Sequence, residues 1–331
     1  MKIIQVGLFA SMLTTLAYGF KFPGLSTDLT PGEENRIYGG SNARIDNHGY
    51  TVSLHSNGPD SEFFCAGTLI TPNFILTAGL CLEDLMYNVY ASLGSKHRMG
   101  GDSGKSEKIR VVEAFRHPSY YVSTKSLTVT HNMALLKLET PSKTKSQTVT
   151  HNMALLKLET PSKIQPVLLA DADGSDNKPG SIATAINWGL VNDESSSDTL
   201  QTMDVEIITN AKCAKLYDDA GENTKVDDSV ICAGTVNGKD MCTGEGGGPL
   251  IVNGVLVGIA SDGPDDCGVL PVTFTRVSNA LDFIDDVLDG KSSGNVTELL
   301  TAGPSIFNTT TLINAIKDGA AAVYEVEDTQ K

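Results

Sequence analysis

Six cysteines, six histidines, a glycine-rich turn and two Asn-x-Thr patterns are the features of this 331-residue chain with the most obvious chemistry. The turn reads Gly244-Glu245-Gly246-Gly247-Gly248-Pro249-Leu250, and Thr243 carries the hydroxyl nearest to Gly246. Hydrolysis by a side-chain nucleophile would need a hydroxyl, an imidazole to take its proton and a carboxylate to orient the imidazolium. Gly246 has no side chain, and Thr243 lies before the turn. The histidines are His48, His55, His97, His117, His131 and His151. His131 and His151 each precede an asparagine, Asn132 and Asn152, and adjacent side chains of a strand point to opposite faces. No metal-ligating set and no cofactor fingerprint stands out. The even number of cysteines reads as a disulfide framework for an oxidising compartment, with 15 pairings open on sequence alone. Asn295-Val296-Thr297 and Asn308-Thr309-Thr310 fit the N-glycosylation acceptor pattern, which makes Asn295 and Asn308 candidate modification sites.

The elements that must position these residues follow from patterning. Lys2, the apolar run 3–16 and the small-residue pattern Ala17-Tyr18-Gly19 read as a secretory signal, residues 1–19. Residues 20–36 hold two prolines, mixed charge and little apolar periodicity, and read as a propeptide-like segment. From 37 to 290 many short β-like runs, such as Phe74-Ile75-Leu76-Thr77 and Leu250-Ile251-Val252, alternate with Gly, Asn, Asp and Pro, which predicts an all-β barrel or sandwich. Val277, Ala280, Leu281, Ile284, Val287 and Leu288 recur at helical spacing and predict a closing helix. Residues 291–331 form an extension rich in Ser, Thr, Asn and Ala, to which no packed domain is assigned. Residues 124–143 recur as 144–163 with one difference, Leu127 against Gln147. Only one copy can occupy a given strand, so either the other is extruded or the repeat arises from the gene model and not from the protein.

Composition narrows the function. Forty acidic against 25 basic residues give a net charge of −15, the wrong sign for neutralising nucleic-acid phosphates. After the N-terminal run nothing approaches the roughly 20 apolar residues that span a bilayer. The expectation is a secreted, extracellular protein that binds neither nucleic acid nor membrane. The oligomeric state is not legible.

Motif order then supplies a resemblance. Arg36-Ile37-Tyr38-Gly39-Gly40, Phe64-Cys65-Ala66-Gly67-Thr68-Leu69-Ile70 and Leu76-Thr77-Ala78-Gly79-Leu80-Cys81 resemble the trypsin/chymotrypsin family in order and spacing. So do Asn187-Trp188-Gly189, Cys232-Ala233-Gly234, the glycine-rich turn and Phe274-Thr275-Arg276-Val277. The resemblance implies a trypsin-like double β-barrel with a C-terminal helix over residues 37–290. It also implies that all three triad positions are replaced: the base by Leu80, the carboxylate by Asn132 or Asn152 depending on the repeat copy in place, and the nucleophile by Gly246. Asp240 falls where trypsin-like members carry the carboxylate that recognises Lys or Arg. Asp262 falls where the family has a Trp wall and Val272 where an open pocket needs Gly, so the former specificity pocket is expected to be closed. Family-matched disulfides are Cys65 with Cys81, Cys213 with Cys232 and Cys242 with Cys267, spanning 16, 19 and 25 positions, each closing a loop for roughly 3 kcal/mol by chain entropy. Arg36-Ile37 resembles a zymogen processing site, with Glu245 as the acidic partner for a freed Ile37 amine.

The erased chemistry, the acidic body and the extended tail further resemble the oomycete glucanase inhibitor proteins, secreted trypsin-fold homologues that bind plant endo-β-1,3-glucanases. This implies a non-enzymatic secreted protein with a host endo-β-1,3-glucanase as partner, acting in virulence or counter-defence. The alternative is a pseudoprotease that binds another extracellular protein or cell-wall carbohydrate. A carbohydrate module would be expected to expose aromatic platforms, whereas aromatics are 6% of the chain with Trp188 as the single tryptophan, at a position the family uses structurally.

Overall fold

Alternation decides the first barrel. In residues 107–116 Ile109 and Val111 are buried while Arg110 between them is exposed, the period-two pattern of a strand with one face on a core. The computed structural model of the chain describes residues 40–82, 86–101, 104–123, 148–192, 195–222, 224–234, 246–262 and 269–300. Short β1 (Ser41–Asn42) and one turn of helix, α1 (Ile45–His48), lead into the first barrel. Its strands are β2 (Thr51–His55), β3 (Phe63–Thr71), β4 (Phe74–Thr77), β5 (Tyr90–Leu93), β6 (Glu107–Arg116) and, after the hairpin of β7 (Tyr121–Ser123) with β8 (Thr148–Thr150), β9 (Ala154–Leu158). They close antiparallel in the order β2-β3-β4-β9-β6-β5.

A linker containing β10 (Leu168–Leu169) leads to the second barrel, whose early strands are β11 (Ile182–Asn187), the small ribbon β12 (Leu190–Asn192) with β13 (Ser195–Ser196), and β14 (Gln201–Ile208). The helix α2 (Asn210–Asp219) intervenes, and β15 (Val230–Ala233), β16 (Pro249–Val252), β17 (Val255–Asp262) and β18 (Val272–Arg276) complete the set. The sheet runs β14-β11-β16-β17-β18-β15, and pairing of Ile207 with Ala233 joins β14 to β15 and closes it. Two closed six-stranded antiparallel barrels and few helices agree with the expected fold. One hydrophobic core runs through both, with Leu54, Ile75 and Leu156 in the first and Ile186, Leu250 and Phe274 in the second. Each such fully buried apolar side chain contributes about 1.5–3 kcal/mol.

The predicted closing helix is present as α3 (Leu281–Leu288), with Phe283, Ile284 and Val287 buried. It starts later than the periodicity suggests, because Val277–Asn279 form a 3-10 turn and Ala280 has φ −121°. The helix α2 is one that the apolar pattern does not announce: it buries only Cys213 and Tyr217. Local chemistry holds it, since Thr209 Oγ1 accepts from Lys212 N at 3.2 Å, Tyr217 OH donates to Pro271 O at 2.6 Å, and Cys213 is bonded to Cys232. The Cys65–Cys81 disulfide joins β3 to the turn after β4. Cys242 and Cys267 lie outside the described residues, as do Arg36, Ile37, Asp240, Glu245, Asn308 and the first repeat copy.

Past α3 the chain returns to the first barrel. Arg116 N donates to Gly294 O at 2.8 Å, Val296 N to Ala114 O at 2.9 Å and Met86 N to Leu299 O at 2.9 Å, and Leu300 is buried. The packed body therefore continues beyond Gly290 to Leu300. Asn295 is exposed on this segment, and its Oδ1 accepts from Thr297 N at 2.9 Å.

One packing detail makes stability depend on pH. The His117 ring stacks on His151 at 4.8 Å and meets Phe283 edge-on at 5.0 Å, while its Nδ1 accepts from Ser119 N at 3.1 Å. Burial, and then the nearby His151, push the His117 imidazole down to about 4 from its ordinary 6.5. The fold thus prefers neutral His117: its contribution is complete above pH 6.5 and is lost as the pH falls from 6.5 towards 4. With His117 only partly buried, about 1–2 kcal/mol is the expected loss. Melting curves of wild type and His117→Phe between pH 4 and 8 should diverge across that window, and parallel curves would show that the ring does not sense pH.

Candidate functional site

The site is built from three loops that meet where the barrels touch. After β4, residues Gly79–Leu82 make a 3-10 turn that carries Leu80. The strand β9 is preceded by His151, whose φ of 50° redirects the chain, and then by Asn152 and Met153. Gly246 begins the turn into β16.

Asn152 is 1% exposed and fully engaged. Its Oδ1 accepts from Leu80 N at 2.7 Å, its Nδ2 donates to Ser261 Oγ at 2.9 Å, and its backbone oxygen accepts from Thr275 Oγ1 at 2.8 Å. One residue thus ties the first barrel to the second, its side chain reaching β17 and its backbone oxygen β18. The amide suits the task because it offers an acceptor to one side and a donor to the other without placing a charge in the interior. Ser261 is not among the residues that the sequence singles out. A hydroxyl at a strand position facing a buried amide is the signal that could have found it.

Gly246 lies against Leu80. A Cβ placed on Gly246 would be 3.1 Å from Leu80 Cδ1 and 3.5 Å from Ala78 Cβ, so the leucine side chain occupies the space beside the turn. The turn itself is held by Ala66 N donating to Gly246 O at 3.0 Å, by Gly247 N donating to Ala260 O at 2.9 Å and by Ala260 N donating to Gly248 O at 2.8 Å. Leu80, Asn152 and Gly246 are therefore brought together, through the second repeat copy. Asn132 is in the first copy. Groups that transfer protons or attack carbonyls are missing from these three side chains: an alkyl group, a primary amide and a hydrogen.

The described histidines with placed rings serve elsewhere. His55 is buried in β2, with Nδ1 2.9 Å from Ser61 O and Nε2 3.1 Å from Ser53 Oγ, and burial lowers its pKa. His48 Nδ1 is 3.3 Å from Tyr50 OH. His117 and His151 form the stack against α3. Of the residues that the resemblance assigns to a specificity pocket, Val272 is buried at the start of β18 opposite Ala233, and Asp262 ends β17 opposite Thr273. Among the described residues no group of three or more His, Cys, Asp or Glu could hold a metal ion, and no helix is long and apolar enough to cross a membrane.

The trypsin family model, described as Trypsin, matches residues 37–284. Glucanase inhibitor protein 3 of Phytophthora infestans is 33% identical over 242 residues, covering 70% of this chain and 81% of that protein. Kallikrein 1-related peptidase b26 of Mus musculus is 32% identical over 277 residues, covering 81% of this chain and 96% of that one. In fold, the chain is similar to neuropsin, a serine protease expressed in the limbic system of mouse brain, with a TM-score of 0.60 at 24% identity over 76% of this chain and 99% of that one. Relatives named as inhibitors and relatives named as peptidases thus stand at similar distance, and the family model spans most of the sequence: the chain is a member of the trypsin family.

Proposed function

We propose that this protein is a secreted, catalytically inactive member of the family that binds and inhibits a plant endo-β-1,3-glucanase. The observation that carries the inactive half is the meeting of Leu80, Asn152 and Gly246, with Leu80 Cδ1 3.1 Å from the place of a Gly246 Cβ. These are the positions where the family's base, orienting carboxylate and nucleophile belong, and the groups there have neither a proton acceptor of suitable pKa nor a nucleophilic oxygen. The binding half is supported by relatives named glucanase inhibitor proteins in Phytophthora infestans and Phytophthora sojae. Export is supported by the N-terminal apolar run and by two disulfides, Cys65–Cys81 and Cys213–Cys232. Inhibition would come from covering the glucanase surface with loops around the old cleft.

Titration of the purified protein against several host glucanases, reading both complex formation and release of reducing sugar from β-1,3-glucan, tests the proposal. Binding below micromolar concentration together with slowed sugar release is the expected result. For a basic glucanase the −15 charge should speed encounter, so association should slow about tenfold as salt rises while dissociation changes less. Absence of any complex at micromolar concentration would transfer the assignment to another extracellular protein or to cell-wall carbohydrate.

A further inference from the structure

The linker between the barrels lines a second concavity, which shares no residue with the group Leu80, Asn152 and Gly246. Residues 163–168 form one wall, α1 and Tyr50 another, and Gly94 after β5 and Lys105 before β6 a third. Its volume is about 590 Å³, within the roughly 300–1,000 Å³ of sites that take small organic molecules.

The apolar part is built in advance. Val167 is buried and its N donates to Leu69 O at 3.0 Å. Ile164 sits against two glycines: a Cβ on Gly49 would be 3.5 Å from Ile164 Cγ2, and one on Gly94 would be 2.9 Å from Ile164 Cδ1. Gly94 N donates to Gly49 O at 3.1 Å, so the backbone under Ile164 is itself fixed. A wall already in place needs no ordering when a ligand arrives. Leu168, at the same concavity, is 71% exposed, and covering it would remove apolar surface from water.

The charges select the ligand. Lys108, Lys157, Lys215, Lys225 and Lys291 each meet a carboxylate at 2.5–2.8 Å. Lys105 and Lys163, both exposed and both lining the concavity, form no ion pair among the described residues. Glu107 bonds Lys163 through the backbone, accepting from its N at 3.1 and 3.2 Å, while Ser162 Oγ donates to the same carboxylate at 2.6 Å. Asp46 on α1 also lines the concavity, which leaves it one positive charge in excess in a chain of net charge −15. An apolar cation would be repelled, and a neutral sugar would leave both ammonium groups unmatched.

We propose that this concavity binds a small monocarboxylate with an apolar body, the hydrocarbon lying against Ile164, Val167 and Leu168 and the carboxylate meeting Lys105 and Lys163. The reading is independent of any glucanase. Because the lysines are exposed, binding weakens as salt rises.

Full-length protein is titrated calorimetrically with monomeric dodecanoate, with dodecyltrimethylammonium as a cation of equal tail, and with a six-residue peptide alternating Glu and Leu. Lysine acetylation with mass readout locates the ligand. Dodecanoate should bind at one site per chain and protect Lys105 and Lys163, but not the exposed Lys178 and Lys212. The double variant Lys105→Glu with Lys163→Glu changes only exposed positions, should melt as wild type does, and should raise the dissociation constant about tenfold. Leu168→Asp should weaken binding to a similar extent. The proposal is overturned by absence of binding at millimolar dodecanoate, by equal binding of the cation, or by an unchanged constant in the double variant. Tighter binding of the peptide than of dodecanoate would overturn it as well, since the concavity would then be a docking place for an acidic chain.

Discussion

Wild-type protein is expected to hydrolyse no Arg, Lys or aromatic peptide ester and to resist labelling by a fluorophosphonate. Loss of a whole triad costs about a million-fold in turnover in a related mechanism, close to 8 kcal/mol of barrier, and backbone donors with substrate binding leave only about 10³–10⁴-fold over water. The informative variant restores all groups at once: Leu80→His, Asn132→Asp, Asn152→Asp and Gly246→Ser. Changing both asparagines removes dependence on which repeat copy is in the barrel. The frame is suited to the new side chains, since the Gly246 Cβ position adjoins the residue 80 side chain and the residue 152 side chain already reaches the Leu80 backbone. A phosphonate needs nucleophile and base but no side-chain pocket, so labelling should return. Ester turnover should not, because Val272 remains buried at the start of β18 and under the proposed reading closes the former specificity pocket. Robust trypsin-like turnover by this variant would show that the pocket is open, and wild-type labelling at one probe per chain would refute the inactive assignment.

The parts of this molecule that can be read in its sequence are those with local patterns. Alternating strands such as residues 107–116, the α3 face and the Cys65–Cys81 and Cys213–Cys232 pairs all depend on spacing or on family motifs that survive in order. Long-range matches are not legible. The partners of Asn152 lie 72, 109 and 123 positions away, at Leu80, Ser261 and Thr275, and no spacing rule connects them. The strap formed by residues 291–300 looks like tail because much of its docking uses backbone groups of Gly294, Val296 and Leu299, and the side chains that matter, Thr297 accepting from Ala114 N and buried Leu300, form no periodic pattern. The occupied repeat copy was beyond sequence reading for the simplest reason: the two candidates are the same where they would touch the barrel.

Gly247→Ala is expected to unfold the protein or to cost it about 3–5 kcal/mol, although Gly247 has no side chain of its own to take part in chemistry. Its φ is +94°, a region that side chains with a Cβ rarely enter, and an added Cβ would collide with Ala66 O and stand 2.5 Å from Thr77 Oγ1. Neither neighbour is free to move. Thr77 Oγ1 donates to Ala66 O at 2.7 Å, and Ala66 N donates to Gly246 O at 3.0 Å, so the collision falls on the hydrogen bonds that join the first barrel to the turn. Backbone strain and overpacking act together here, which places the effect at the severe end of single substitutions. Gly246→Ser in the same turn should be far milder, about 1 kcal/mol, because the atom nearest its Cβ is the end of the Leu80 side chain. Denaturant titration of the two variants separates the readings. A large loss at 247 with a small loss at 246 means that the turn serves as a rigid junction between the barrels. Comparable losses at both positions would mean instead that Leu80 is as rigid a wall as the backbone of Ala66.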